Sequence, residues 1–465
     1  MTQATQSTHG EDVTVTIKTE TTVQTDELTT GSSSPVENGA ETPNDFDNAV
    51  AIRPNAAEDV PDLLKKVSSL GADYASNTDE DLRAEYLDAA RHLVYALETP
   101  REAMIRYCWS QSTLYAAIET CVDLGVFPIL SKDDTPKTAD ELAKATNAEP
   151  LVLSRLLKHL ATMGVIAEAG EDTYRRNGFS TSLAMKRYSD AYPCMLSDQA
   201  QANTPRTGCI TNGVLALPAH LKKTNYVNPS NGVKSAFQDG FRTSSHFFEY
   251  LKENPSHAEQ FNNHMTAYHQ GRPSWMDEGF FPVQSLTEGL NVSAEDVLLV
   301  DVGGGVGHDL TEFRRKWPNI PGRLVLQDLP EVIDQAKAQN QATASFIEPV
   351  AHDFFSEQPV KGSRAYYMHS VLHDWADADC RRILSNLAQA MKPGYSKILI
   401  NENVIPSTNA YWETTSLDII MMADFASQER TEKQWRELTA SVGLKIVKIW
   451  TRRRGVESLI ECELA

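Results

Sequence analysis

Positive charge is scarce in this chain. Its 465 residues carry 43 Lys and Arg against 63 Asp and Glu, a formal net charge of −20 with a pI near 5.1. Binding to nucleic acid or to an anionic membrane rests on clustered cations, so this balance argues against both as partners. No apolar run reaches the roughly 20 residues that span a bilayer. The N-terminus lacks the basic-then-apolar order of a secretory signal. Cysteine is sparse and scattered. Cys108, Cys121, Cys194, Cys209, Cys380 and Cys462 form no C-x-x-C pair and show no metal-ligand spacing. Reduced thiols in a cytoplasmic enzyme without a metal are the expectation. The first fifty residues hold one Lys, no Arg and one aromatic, Phe46. Such a segment cannot offset the entropy of ordering, so a disordered acidic tail is expected over residues 1–58.

What the chain does have is one dense motif, Leu298-Leu299-Val300-Asp301-Val302-Gly303-Gly304-Gly305-Val306-Gly307. An apolar run ends in an acid and meets glycines at once. That is how a buried parallel strand hands over to a nucleotide-binding loop, where the backbone turns tightly and approaches a ligand closely. A dinucleotide fingerprint needs G-x-G-x-x-G, but its last position falls on His308. The spacing G-x-G-x-G after Asp301 suits S-adenosylmethionine, which has an amino-acid tail and no pyrophosphate. A tight turn without a ligand is the plainer alternative.

The following segments favour the ligand. Arg323 to Gln327 reads as a second strand ending at Asp328, near the roughly 20-residue offset at which an acid meets ribose hydroxyls. Ser345-Phe346-Ile347 leads to His352-Asp353-Phe354-Phe355, where an acid beside an aromatic suits an adenine; at least one of the two phenylalanines is expected in the core. Ala365 to Met368 runs into His369-Ser370-Val371-Leu372-His373-Asp374-Trp375, and Lys397 to Asn401 reaches Glu402. In an open parallel sheet, ligands bind beyond the carboxyl ends of the strands, where Asp301, Asp328, Asp353, His373 and Glu402 all fall.

Taken in order, Val-Asp-Val-Gly-Gly-Gly, Gln-Asp-Leu-Pro, His-Asp-Phe-Phe, Leu-His-Asp-Trp, Lys-Pro-Gly and Gln-Glu-Arg-Thr-Glu-Lys-Gln-Trp resemble the caffeic-acid/flavonoid type of O-methyltransferase. The likeness is greatest to fungal members that modify polyketides and other secondary metabolites. It covers about residues 293 to 465, and more loosely reaches back to about residue 80. The resemblance implies an α/β fold, with a Rossmann-like seven-stranded methyltransferase sheet at the C-terminus preceded by an α-helical winged-helix dimerisation domain. The expected divisions are a tail over 1–58, a dimerisation domain over 59–180, a helical substrate-pocket segment over 181–292 and a cofactor-binding catalytic domain over 293–465. A homodimer acting on a small aromatic acceptor is implied.

The residues themselves support a winged helix. Thr138 is a plausible cap for the helix that begins at Ala139. Leu151 to Met163 reads as a second helix, and Ile166 to Arg176 as a hairpin wing. A DNA-binding regulator is therefore a second hypothesis, with Arg155, Lys158 and His159 on the would-be recognition helix. No wider basic patch extends them.

Methyl transfer to a phenol needs deprotonation, because a phenol has a pKa of about 10. Histidine titrates nearer working pH and suits the role of base. By the resemblance that base is His373, oriented by Glu402 and Glu429. The resemblance also implies a cofactor site of Asp301, Gly303, Gly304, Gly305, Asp328, Leu329, Asp353, Phe354 and His369. His369 departs from the Lys or Arg usual there, and is either neutral with weaker cofactor binding or compensated by another group. Phe261 and Met265, four apart on one helix face, are expected to sandwich the acceptor. Asp374 either binds the acceptor or caps the next helix. Trp375 either packs near the adenine or anchors that helix. Asp424 stands where plant relatives often carry Asn beside the acceptor. A methyltransferase-like pericyclase that keeps the cofactor without transferring its methyl group is the runner-up within enzymes.

Overall fold

The strands form where apolar residues run together, and the glycine loop follows the first strand of the large sheet. The computed structural model describes residues 43–195, 208–268, 270–291, 296–339 and 346–465. Three short strands, β1 (Lys137–Thr138), β2 (Ala167–Gly170) and β3 (Thr173–Arg175), make an antiparallel wing in the order β1-β3-β2. The large sheet contains β4 (Val297–Val302), β5 (Arg323–Asp328), β6 (Ile347–Ala351), β7 (Ala365–His369) and β8 (Lys397–Glu402). A two-stranded parallel pair joins β9 (Val404–Ile405) to β10 (Arg430–Thr431), and β11 (Leu444–Trp450) and β12 (Ser458–Leu464) complete the chain. The seven-stranded order is β11-β12-β8-β7-β4-β5-β6, and β12 runs against both neighbours. Alternate residues serve two cores. Leu299, Tyr367 and Leu399 face one with Trp275 and Phe313, while Val300, Tyr366 and Ile398 face the other with Ile383, Leu387 and Trp435.

Residues 1–42 of the expected tail lie outside the described residues. Its remainder corrects the expectation of disorder, because Pro43–Ile52 is helical. The chain after it is tied down where the helix Glu80–Leu97 leaves carbonyls exposed at its end. Asn55 donates its backbone N–H to Glu98 O (2.8 Å), and Ala56 to Ala96 O (3.2 Å).

The winged helix forms as its signals direct. Thr138 and Glu141 close a capping box at the start of the helix Ala139–Thr146. The helix Pro150–Thr162 buries Leu153, Leu157 and Leu160. Its polar groups are engaged within the domain: Lys158 pairs with Asp172 at 2.8 Å, and His159 Nε2 lies 2.9 Å from Thr113 Oγ1. The would-be DNA-reading face is thus partly committed to the fold.

The aromatic-rich middle is largely core. Phe237, Phe241, Phe247 and Tyr250 are buried against one another, and Phe247 lies 4.4 Å from Phe425, ring centre to ring centre. The scattered cysteines are all free, but Cys194 Sγ and Cys209 Sγ meet at 3.5 Å inside this cluster. The helices Thr211–Lys223 and Ala236–Phe241 touch backbone to backbone, because a Cβ on Gly240 would strike Asn212 O. Gly240→Ala should therefore cost about 1–3 kcal/mol through overpacking. An unfolding midpoint equal to the parent's, in denaturant, would show that these helices part freely.

Candidate active site

The chain leaves β7 at His369 and turns at Ser370, whose φ of 49° is left-handed. One 3₁₀ turn, Leu372–Asp374, follows. It lies against the end of β8 because His369 registers with Asn401. Glu402 is 1% exposed, and its Oε1 accepts three backbone N–H groups, from Val371 (3.0 Å), Leu372 (2.8 Å) and His373 (3.3 Å). The imidazole is held separately. His373 Nδ1 is 2.7 Å from Glu429 Oε1, against 3.8 Å from Glu402 Oε2. Ser427 Oγ donates to His373 O, and Glu429 is steadied as its backbone N–H donates to Asp418 Oδ1 (2.8 Å). Glu429 thus orients the ring, while Glu402 orients the turn that carries it.

With Nδ1–H donated to Glu429, a neutral His373 leaves Nε2 as an acceptor. Asp374 Oδ1 lies 3.5 Å from that nitrogen. Burial disfavours the imidazolium, but Glu402, Asp374 and Glu429 outweigh it and hold the ring well above the ordinary histidine range. Burial pushes Asp374 up to about 7, against the pull of His373. Asp374 is not a helix cap: the cap position before Asp377–Ala390 is Ala376, which supplies no side-chain bond.

The glycine loop is pinned to β5, since Gly303 and Gly304 both donate N–H to Gln327 O (2.8 and 3.1 Å). Gly303 and Gly305 are left-handed, at φ 74° and 58°. A Cβ on Gly304 would enter the Asp301 carboxylate. Asp301 is 1% exposed, and neither of its oxygens has a hydrogen-bond partner. Burial and then Asp309 push its carboxyl well up. Asp328 accepts from Gly305 N (2.8 Å) and Leu329 N (2.7 Å), one bond to each oxygen, which leaves capacity for a diol. Phe354 packs beside Gly303, whereas Asp353 is exposed, with Oδ1 accepting from Phe355 N (2.9 Å). The cradle, the open buried acid and the diol acceptor together fit S-adenosylmethionine.

His369 lies between two carboxylates. Its Nδ1 is 2.7 Å from Asp309 Oδ2 and its Nε2 is 3.2 Å from Glu457 Oε2. Two carboxylates on the two ring nitrogens favour the imidazolium. Burial opposes that charge, yet Asp309 and Glu457 hold its pKa well above the ordinary range. Arg272 stands behind them, 3.6 Å from Glu457 and paired with Glu413. Two acids on the ring and a second cation nearby thus surround His369.

Phe261 lies edge-on to Phe247 at 5.3 Å. Met265 is half-buried on the same helix, Pro255–Tyr268. Trp375 stacks on His246 (5.2 Å, 6°) and meets Phe354 and Phe355 edge-on. It anchors the wall of the site. Asp424 exposes no surface and is packed against Gly213, so it does not belong to the open site in this structure. His373, Glu402 and Glu429 have ligand atoms within 4.8 Å of one another, a spacing that suits a metal. Glu402 Oε1 is engaged by backbone N–H groups and Glu429 Oε1 by His373 Nδ1, while Glu402 Oε2 and Glu429 Oε2 have no hydrogen-bond partner.

Sequence reasoning passed over Asp309, Glu457, Arg272 and Ser427. Asp309 had a signal, as an acid in the first turn after the glycine loop. Glu457 and Arg272 had none, since only the fold brings them to His369.

Residues 228–445 match the O-methyltransferase domain and residues 106–186 the O-methyltransferase dimerisation domain. The chain is 35% identical over 408 residues to the O-methyltransferase mpaG of Penicillium brevicompactum, covering 87% of this chain and 98% of that protein. It is 34% identical over 403 residues to the O-methyltransferase mfmE of Annulohypoxylon moriforme, covering 86% and 95%. Among solved structures, LepI in complex with SAM superposes with a TM-score of 0.76 at 31% identity, over 88% of this chain and all 100% of that one. OxaC in complex with SAH and oxaline gives 0.73 at 26% identity, over 88% and 100%.

Replacing Glu429 by Gln removes the anion nearest His373 Nδ1. The ring pKa should fall, which a nuclear magnetic resonance titration of the imidazole reads directly. The stability effect has a definite sign. A raised histidine pKa adds stability below the unfolded value of about 6.5, and that stability is lost as pH rises through the folded value. Glu429→Gln should therefore flatten the alkaline loss. A ring that titrates as in the parent would separate Glu429 from the imidazole.

Proposed function

This chain belongs to the S-adenosylmethionine-dependent O-methyltransferases of fungal secondary metabolism, and from that premise we propose that it methylates a phenolic hydroxyl of a small aromatic, polyketide-type acceptor with His373 as general base. One observation carries the reading. His373 Nδ1 is held by Glu429 while Nε2 lies beside Asp374, and Val371 of the same turn packs against Gly303 of a glycine loop suited to the cofactor.

S-adenosylmethionine supplies an activated methyl group on its sulfonium. Asp301, Gly303, Gly304, Gly305, Asp328, Leu329, Asp353 and Phe354 would hold it, with His369 fixing the acids around the tail end. In its neutral form His373 Nε2 would take the acceptor's phenolic proton, leaving a phenolate oxygen for the methyl group that the cofactor would supply. Glu429 stabilises the resulting imidazolium, and Glu402 keeps the turn in register throughout. Phe261 and Met265 would flank the acceptor ring, and Asp374 would meet a second polar group beside the reacting hydroxyl. Asp424 would reach an acceptor only if the wall around it opened.

The chain carries a dimerisation domain. As a further part of the reading, two copies pair through the N-terminal helices. Leu87, Val94, Tyr95, Leu97, Met104, Tyr107 and Trp109 are exposed there, and Trp109 is 62% open. So much apolar surface suits a partner of the same kind. Sedimentation at micromolar concentration should give a dimer; a monomer with full activity would contradict this part. No helix among the described residues is long and apolar enough to cross a membrane, and a cytoplasmic location fits the free thiols.

LepI, a pericyclic-reaction enzyme, is similar over most of its length. That likeness keeps the runner-up reading open to the same assay. S-adenosylhomocysteine and product are measured together from about pH 6 to about pH 10, a range spanning the histidine and phenol pKa values. Methyl transfer releases one S-adenosylhomocysteine per product. His373→Ala should lower turnover by about 10²- to 10⁴-fold at neutral pH with cofactor binding intact. The deficit should shrink as solution supplies phenolate. Product without S-adenosylhomocysteine would refute methyl transfer, and a His373→Ala rate equal to the parent's would remove the base.

A further inference from the structure

Arg430 follows Glu429 in sequence and has no part in the reaction as described so far. It is 0% exposed, an unusual state for a guanidinium, whose desolvation must be matched bond for bond. Its Nη1 donates to Leu372 O (3.0 Å) and its Nη2 to Trp375 O (3.0 Å). Nε and Nη2 both reach Asp377 Oδ1 (3.0 and 2.9 Å), and Nη2 also lies 3.3 Å from Cys380 Sγ. The guanidinium carbon sits 5.2 Å from the Trp435 ring centre. Leu372 and Trp375 are the residues on either side of His373 and Asp374. The turn that carries the base is thus gripped from two directions. Glu402 takes its N–H groups, and Arg430 takes the carbonyls that flank it. The two grips lie near each other, since Arg430 pairs with Val404 in the β9–β10 pair, two residues beyond Glu402.

We infer that Arg430 is a positioning residue for the base: its fork on the Leu372 and Trp375 carbonyls sets where His373 Nε2 meets the acceptor hydroxyl. The inference rests on His373 being the base. Arg430 does not touch the acceptor. A planar fork with five donors fixes two carbonyls at once, which a lysine ammonium cannot do in the same geometry. The charged or titratable groups facing this region are Glu402, Glu429 and Asp374 around His373, and Asp377, Asp418 and Cys380 around Arg430.

The test is a double-mutant cycle on the full chain, with Arg430→Lys and His373→Ala alone and together, and turnover measured across pH 6 to 10. A shift of about 1 Å in a reacting group can cost on the order of 10²-fold, so Arg430→Lys should lower kcat at neutral pH by about 10- to 100-fold. Affinity for S-adenosylhomocysteine should stay within about twofold, because the fork does not reach the glycine loop. The deficit should close toward pH 10, where the phenol ionises unaided. In the His373→Ala background, Arg430→Lys should cost nothing further. An equal loss in both backgrounds, or one constant across pH, would overturn the positioning role. His373→Ala active as the parent would sink the base itself, a result distinct from either. Asp377→Asn serves if Arg430→Lys does not fold, since Asp377 is partly exposed. It loosens the fork and should give a smaller, roughly threefold loss with the same pH dependence and the same silence in the His373→Ala background. Activity equal to the parent's in Asp377→Asn would then overturn the proposal.

Discussion

One carboxylate oxygen holds the site in place. Glu402 Oε1 collects the N–H groups of three successive residues at the tip of β7. A buried acid is costly unless hydrogen-bonded, and three peptide donors make a compact receptor for it. In return those donors, which no strand or helix serves, are satisfied. Each would otherwise cost about 1–3 kcal/mol as a buried orphan. The direction of His373 follows from this contact, because a side chain on a single 3₁₀ turn goes where its backbone is held. Glu429, Ser427 and Arg430 then act on a turn already placed, and all three come from the stretch that follows the π-helical Met421–Phe425. That stretch begins at Ala426, left-handed at φ 53°.

The chain's acidity takes on meaning in the buried part of the site. Asp301, Asp309 and Glu457 converge near the ends of β4 and β7, with His369 and Arg272 as cations among them. Carboxylates this close raise one another's pKa and favour any cation that joins them. A ligand with an ammonium group and a sulfonium is suited to such surroundings. The histidine in place of Lys or Arg keeps its charge because two acids share it.

The aromatic side is built differently. Its wall is a stack of aromatic rings, from Phe237 through Phe247 to Phe425, continued by Phe248, His246 and Trp375. Most of these rings touch each other and form a packed core cluster next to the turn that carries His373. Asp424 and the paired thiols of Cys194 and Cys209 are sealed within this wall. Burial pushes Asp424 well above the carboxylate range, which explains how an acid without a partner persists there.

The parts of the protein that depend on local order were legible in the sequence. Continuous apolar runs marked β4, β5, β7 and β8, and Thr138 as a cap marked the helix that begins at Ala139. The glycine spacing after Asp301 separated one cofactor class from another, because backbone approach depends on adjacent residues. The strand-end rule brought Asp328, His373 and Glu402 to one edge, since a parallel sheet aligns its carboxyl ends whatever lies between them. Other features required the tertiary structure. The charge of His369 depends on Glu457, which lies on the approach to β12. The different duties of Glu402 and Glu429 depend on a turn bent around one of them. Asp424 was displaced from the acceptor by helix packing against Gly213, and the end of the supposed tail was ordered by carbonyls on another helix. Contacts between distant segments leave no periodicity to read, because burial and charge are shared only after the chain has closed.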